Sequence, residues 1–278
     1  MTRRLYPARL TGTVAAPPSK SAWHRELICR FLAGQPLPQA LSGADVSATL
    51  SGLRVLRQGG DAIDCGASGA TLRFLLPLAM ALGRTGLHLT GTPRLLERPL
   101  SAPYPVAREN AGYRITEPLT PGRYALRGDE TSQTVSGLLM ALPLLAEPSE
   151  LVLTTPLVSR AYVDMTLDAL RLFGYTVGAD GVQAYRIPGG QTGRAPEQAL
   201  CVPTDQSAAA FFGAMRTLGG DISLADFRDD GAQGDRVFGA YMERLCREKC
   251  RLSVADCPDL APILLVVAAL HHGGTLCD

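Results

Sequence analysis

The chain has 278 residues, 46% hydrophobic and 19% charged, with a formal net charge of +1. This is a globular composition on the apolar side, long enough for two domains, and it lacks the basic excess of a nucleic-acid or membrane-surface binder. No apolar run reaches the ~20 residues of a membrane span, and Ala261 to Leu270 reads as a buried helix. The N-terminus has no signal-peptide apolar region. The seven scattered cysteines (29, 65, 201, 246, 250, 257, 277) fit free thiols in a reducing cytoplasm better than a disulfide framework. Cys246, Cys250 and Cys257 lack zinc-knuckle spacing and a fourth ligand, so no metal and no cofactor is expected.

Taken in order, Leu5 to Val14 reads as a strand interrupted at Gly12. Pro17-Pro18-Ser19-Lys20-Ser21-Ala22-Trp23-His24-Arg25 follows, with Ser21 placed to cap a helix carrying Trp23, Leu27, Ile28, Phe31 and Leu32 inward. Free N–H groups at a helix start, hydroxyls, Lys20 and Arg25 one turn on suit an anion, most naturally a phosphate. The blander alternative is an ordinary capped helix with two solvated cations. A helix over 46–57 is closed by Gly59-Gly60, and short strands are predicted at 61–65 and 86–90. Between the latter and Leu100 lies a stiff, charged loop, Pro93-Arg94-Leu95-Leu96-Glu97-Arg98-Pro99, where an arginine fork suits a carboxylate or phosphate. Further strands are predicted at 113–115, 124–127 and 151–154. A helix follows over 159–173, then a hairpin of 175–178 with 182–187. Residues 189–196 read as a linker.

The phrase at 17–25 returns. Ser68-Gly69-Ala70-Thr71, Thr131-Ser132-Gln133, Asp205-Gln206-Ser207 and Pro258-Asp259 each open a run too apolar to be solvated. A repeat at a spacing of roughly fifty to seventy residues marks a recurring supersecondary unit. Strands alternate with helices, so the class is α/β or α+β. Neither a Rossmann nor a P-loop signature is present, so a phosphate site here is of another design.

In this order the phrases resemble the 5-enolpyruvylshikimate-3-phosphate (EPSP) synthases. The resemblance runs from about Gly12 onward. It rests on Pro-Ser-Lys-Ser-x-x-x-Arg (18–25), Asp-Cys-Gly-x-Ser-Gly-x-Thr-Leu-Arg-Phe (64–74), Leu-Thr-Gly-x-x-Arg-x-x-x-Arg-Pro (89–99) and Ser-Gln-x-x-Ser-Gly-Leu-Leu (132–139). Ser-x-x-Tyr-x-Asp-Met-Thr-Leu (159–167), Gln-Gly-Asp (233–235) and Asp-Cys-Pro-Asp-Leu (256–260) continue it. It implies a two-domain enolpyruvyl-transferase-like fold, each domain of three βαβαββ units. One domain is expected over 18–203; the second combines 1–17 with 204–278.

The resemblance also implies transfer of the enolpyruvyl group of phosphoenolpyruvate to the 5-hydroxyl of shikimate 3-phosphate, a step of aromatic amino acid biosynthesis, with phosphate released. Lys20, Ser21, Arg25, Thr131 (Ser in most relatives), Ser132, Gln133, Ser159 and Asp259 are then expected to hold shikimate 3-phosphate. Lys20, Gly69, Arg98 and Gln133 are expected to hold phosphoenolpyruvate. Asp259 is the expected base at the 5-hydroxyl and Lys20 the second catalytic group. A cytoplasmic monomer is expected, with those two small molecules as its only partners and neither nucleic acid nor membrane. Ala67 and Ala70 depart from the polar residues usual there. Relatives also carry a later Lys-Glu-x-x-Arg phrase that this sequence does not contain, so the second domain is expected to be incomplete. The alternative reading is a non-catalytic remnant of the family that binds a phosphometabolite. The UDP-N-acetylglucosamine enolpyruvyl transferases resemble the chain less, having Lys-Asn at the position of Lys20-Ser21 and a loop cysteine that residues 86–104 lack.

Overall fold

The computed structural model describes residues 4, 6, 10–100, 102, 104–109, 111–181, 183–197 and 201–277. Strand β1 (Thr11–Ala15) begins later than the predicted strand, whose Leu5 lies outside the described residues. Helix α1 (Lys20–Leu32) starts before Ser21, which is therefore inside the helix rather than its cap. Ser19 is fully buried, and its N–H donates to the Pro203 carbonyl at 2.8 Å. That long-range bond, invisible to a local reading, fixes the helix entry. The buried part of α1 is continuous from His24 to Cys29, while Trp23, Phe31 and Leu32 are only partly covered.

The chain divides into two compact units, 20–201 and 1–19 with 202–278. In the first, α1 and α2 (Ala44–Gln58) precede the sheets; α2 stops at Gly59, whose φ of 80° is left-handed and whose N–H returns to the Val55 carbonyl. Then come β2 (Ala62–Asp64), α3 (Gly69–Ala81), β3 (His88–Thr90), α4 (Pro93–Leu96), β4 (Val106–Glu109) and β5 (Gly112–Ile115). They are followed by β6 (Arg123–Leu126), α5 (Ser132–Ala141), β7 (Ser149–Leu153), α6 (Arg160–Leu172), β8 (Gly178–Asp180) and β9 (Ala184–Ile187). The sheet orders β2-β3-β5-β4 and β6-β7-β9-β8 match strand for strand, a parallel pair followed by an antiparallel hairpin. Two βαβαββ units are thus complete where three are expected; α1 and α2 carry no sheet of their own among the described residues. The hairpin's first strand sits at 178–180 rather than 175–178, and Val182 lies outside the described residues.

The core of this unit lies between α3 and α5. Every residue from Thr71 to Met80 is buried, as are Ser132 and 134–141. The two helices approach so closely that a Cβ built on Gly137 would lie 2.2 Å from the Arg73 carbonyl oxygen. Gly137→Ala must therefore push the helices apart. We expect it to destabilise the unit by about 1–3 kcal/mol, the cost of overpacking, read as a lower urea midpoint. An unchanged midpoint would mean the contact is looser than described.

Residues 189–196 are not a free linker. Gly190 N–H donates to Leu145 O, Gln191 N–H to Pro143 O and Arg194 N–H to Phe173 O, while the Gln191 carboxamide spans both polar backbone atoms of Thr176.

The second unit adds α7 (Gln206–Thr217), β10 (Asp221–Ala225), a 3-10 turn (Gly234–Val237), α8 (Phe238–Arg247) and β11 (Cys250–Ser253). A 3-10 turn (Pro258–Leu260), α9 (Ala261–Leu270) and β12 (Gly274–Cys277) end it. β1 runs parallel to β10, and β11 to β12. Its core is smaller, built on Ala210, Met242, Leu245, Leu260, Leu264 and Val267. Helix α9 is not buried all round as predicted: it packs Leu264, Val267 and Ala268 inward and leaves Leu265, Val266 and Leu270 at 54%, 46% and 62% exposure. Among the described residues no helix is long and apolar enough to cross a membrane.

Candidate functional site

Three of the repeated phrases are helix caps. Ser68 accepts the Thr71 N–H at the start of α3, Thr131 accepts the Gln133 N–H at the start of α5, and Asp205 accepts the Ala208 N–H at the start of α7. Each cap satisfies one of the four N–H groups a helix start leaves open. Thr131 gives only its oxygen lone pair to that bond, so its O–H can still donate to an anion.

At the head of α1, Lys20 pairs with Asp45 of α2, Nζ to Oδ2 3.1 Å, with the lysine side chain 57% exposed. Ser21 accepts from Arg25 through its carbonyl at 2.7 Å. Arg25 itself is 4% exposed and donates to Thr166 Oγ1 (2.7 Å), Tyr162 O (2.6 Å) and Ser136 Oγ (3.4 Å) as well. It also lies 5.4 Å over the Phe74 ring. Three of these four bonds tie α1 to α5 and α6, and the fourth returns to Ser21 within α1 itself. Burial holds its pKa down to about 10, still charged at neutral pH.

The start of α3 is a cluster of cations around a glycine. A Cβ built on Gly69 would lie 2.8 Å from Arg73 Nη1, 3.2 Å from Gln133 Oε1 and 3.6 Å from Arg98 Nη1. Arg73, unassigned from sequence, is 6% exposed. It donates from Nη1 to the Gly69 carbonyl (3.4 Å) and Gln133 Oε1 (3.3 Å), and from Nη2 to the Pro99 carbonyl (2.9 Å). Burial lowers its pKa first, and the positive charge of Arg98 lowers it further. The signal in the sequence was a lone arginine inside the apolar run 72–82. Ser132 opens α5 at 8% exposure. Ser159 precedes α6 with φ 53° and ψ 45°, left-handed for a residue with a Cβ, and its side chain makes no capping bond. Such strain collects where a side chain has another task.

In the second unit Asp259 is exposed in the 3-10 turn before α9. Asp235 is 1% exposed and hydrogen-bonds Ser207 through Oδ2, while Oδ1 has no partner. Burial raises its pKa to about 6 against the lowering effect of Ser207, with the charges of Asp259 and Asp205 adding to the rise.

The helix-and-sheet fold is shared with solved structures. EPSP synthase from Acinetobacter baumannii superposes with a TM-score of 0.67 at 20% identity, covering 96% of this chain and 73% of that one. The enolpyruvyl transferase NikO from Streptomyces tendae superposes at 0.65 and 14% identity, covering 97% and 76%. The fold is therefore that of the enolpyruvyl transferases. Residues 6–277 match the model of the family EPSP synthase (3-phosphoshikimate 1-carboxyvinyltransferase). The 3-phosphoshikimate 1-carboxyvinyltransferase of Clostridium kluyveri is 35% identical over 97% of this chain and 74% of its own length. The chain belongs to the EPSP synthase family.

Proposed function

We propose that this protein transfers the enolpyruvyl group of phosphoenolpyruvate to the 5-hydroxyl of shikimate 3-phosphate and releases phosphate. The observation that carries the reading is the pair of like-charged arginines, 73 and 98, converging on Gly69 at a helix start. Two guanidiniums repel, and an anion between them relieves the repulsion while meeting the open N–H groups of the helix. Lys20, Gly69, Arg98 and Gln133 take phosphoenolpyruvate. Lys20, Ser21, Thr131, Ser132, Gln133 and Ser159 take shikimate 3-phosphate, with Arg25 contributing mainly its charge because its donors serve the protein. Protonation of the phosphoenolpyruvate methylene creates a cationic carbon that the 5-hydroxyl attacks. Asp259 removes the hydroxyl proton as attack proceeds. The methyl carbon then gives up a proton as the C–O bond to phosphate breaks, restoring the double bond, and the cations offset the charge on the departing phosphate. The protein works as a cytoplasmic monomer on small molecules alone.

Phosphate release on adding both substrates tests the reading. Release should require both, and Asp259→Asn should lower it ~100-fold or more while leaving shikimate 3-phosphate affinity within threefold. Binding of shikimate 3-phosphate with no release would instead favour the non-catalytic reading.

Ser159 offers a second test, because its strain and its hydroxyl act in opposite directions. Ser159→Gly removes the left-handed penalty, so the thermal midpoint should hold or rise. It also removes a charge-assisted donor worth about 1.5–3 kcal/mol, so shikimate 3-phosphate should bind roughly tenfold or more weakly. A fall in stability with affinity unchanged would give Ser159 a structural role only.

A further inference from the structure

We propose that Arg73 is a positioning residue for phosphoenolpyruvate, fixing which face of the Gln133 carboxamide meets the anion and where the Arg98 segment sits. The inference rests on the enolpyruvyl-transfer reading above.

Arg73 springs from the second turn of α3, in a stretch buried from Thr71 to Met80. Its Nη1 contacts the Gly69 carbonyl and Gln133 Oε1, and its Nη2 holds the Pro99 carbonyl directly after Arg98. One side chain therefore joins the head of α3, the head of α5 and the end of the 93–99 segment. A guanidinium N–H can be accepted only by the oxygen of a carboxamide. Gln133 must keep Oε1 toward Arg73 and so turns both Nε2–H bonds the other way. Without Arg73 the amide is free to rotate by half a turn and offer lone pairs to an incoming carboxylate or phosphate, which repels it. Arg73 thus sets the polarity of Gln133 as well as adding charge. It is costly to keep: Nε is buried with no partner, and the strongest charge acting on it is that of Arg98, of like sign. A residue retained only for packing would be better served by a neutral side chain, since a buried cation lacking a counter-ion is unfavourable.

Isothermal calorimetry on the full chain tests this, titrating shikimate 3-phosphate first and then phosphoenolpyruvate into the saturated protein. Arg73→Met should weaken the second affinity at least tenfold and the first by a clearly smaller factor, since Gln133 also meets shikimate 3-phosphate. Arg73→Lys keeps the charge but cannot reach Gln133 and Pro99 together, so it should recover less than half of that loss on a logarithmic scale. With Gln133→Ala in place, Arg73→Met should cost at least threefold less than in the wild type, because there is no amide left to orient. Full recovery with lysine, an equal cost in both backgrounds, or parallel loss of both ligands would overturn the proposal. So would a wild-type protein that binds shikimate 3-phosphate but takes up no phosphoenolpyruvate, although the family reading would survive that result. Failure to bind shikimate 3-phosphate at all would remove the underlying reading first. If Arg73→Met does not fold, Arg73→Lys and its combination with Gln133→Ala decide the matter alone.

Discussion

Lys20→Met should weaken shikimate 3-phosphate by roughly 30- to 5000-fold with almost no change in thermal stability. In the free protein Lys20 is 57% exposed and paired with Asp45, and exposed pairs of this kind contribute only ~0–1 kcal/mol. Folding therefore barely depends on it. Bound ligand changes the balance, since covering Lys20 removes the water that screens it. Truncating one partner of a desolvated charge pair typically costs ~2–5 kcal/mol. The substitution also leaves the Asp45 carboxylate unneutralised beside the arriving phosphate, which adds repulsion. Asp45→Asn should do the opposite, leaving affinity unchanged or tighter because a competing anion is gone. Calorimetry and thermal unfolding of the two variants check this. A large stability loss in Lys20→Met with affinity intact would return Lys20 to the role of a surface ion pair.

The second large effect is a pH dependence built around His24. Its ring is 2% exposed, with Nδ1 2.8 Å from Thr49 Oγ1, Nε2 buried without a partner, and the ring edge-on to Phe74. Burial, then the charge of Arg25, lowers its pKa from 6.5 to about 3. Between those values the unfolded chain binds a proton that the folded protein refuses, so stability falls as pH falls through the window. From pH 7 to pH 5 this amounts to roughly 2 kcal/mol. Asp235 acts in the opposite sense: its folded pKa is raised to about 6, so the folded protein takes up a proton first and gains stability as pH falls through that value. The two groups therefore partly offset each other in the wild type, and the difference between variants is what isolates His24. His24→Asn keeps an amide for Thr49 and loses the titration. It should be destabilising at pH 7 through the lost ring volume, but that penalty should shrink by roughly 2 kcal/mol at pH 5. Urea midpoints at the two pH values supply the comparison. A penalty equal at both would mean the ring is protonated inside the fold.

How far these features were legible in the sequence depended on the range of the forces involved. Ser68, Thr131 and Asp205 could be read as helix starts because capping is settled within three residues, and all three accept a capping backbone bond. Gly59 was readable for the same reason. Ser21 misled because the helix entry is fixed two residues earlier, where the Ser19 N–H bonds to Pro203 far along the chain. Strand β4 was missed because Val-Ala-Arg-Glu shows little alternation, and at the sheet edge it needs little. The linker at 189–196 has linker composition, yet its backbone is bonded to residues near 143–146 and 173–176. At the site, Arg98 and Gly69 could be singled out by motif. Their convergence with Arg73 could not, because it depends on α3 and α5 packing within reach of Gly137. Arg25 illustrates the converse: its motif position suggested a ligand contact, while the fold spends most of its donors on Thr166, Ser136 and two carbonyls.

On this proposal the helix starts of unit 20–201 recognise a phosphorylated shikimate through its phosphate. Parallel calorimetric titrations of wild type and Ser132→Ala with shikimate 3-phosphate and with unphosphorylated shikimate test it most directly. The wild type should bind the phosphate ester at least a hundredfold more tightly. Ser132→Ala should cost that ligand roughly tenfold or more, the loss of one charge-assisted bond of ~1.5–3 kcal/mol, and leave shikimate nearly untouched. Equal affinities of the wild type for the two ligands, or equal losses in the variant, would contradict the account.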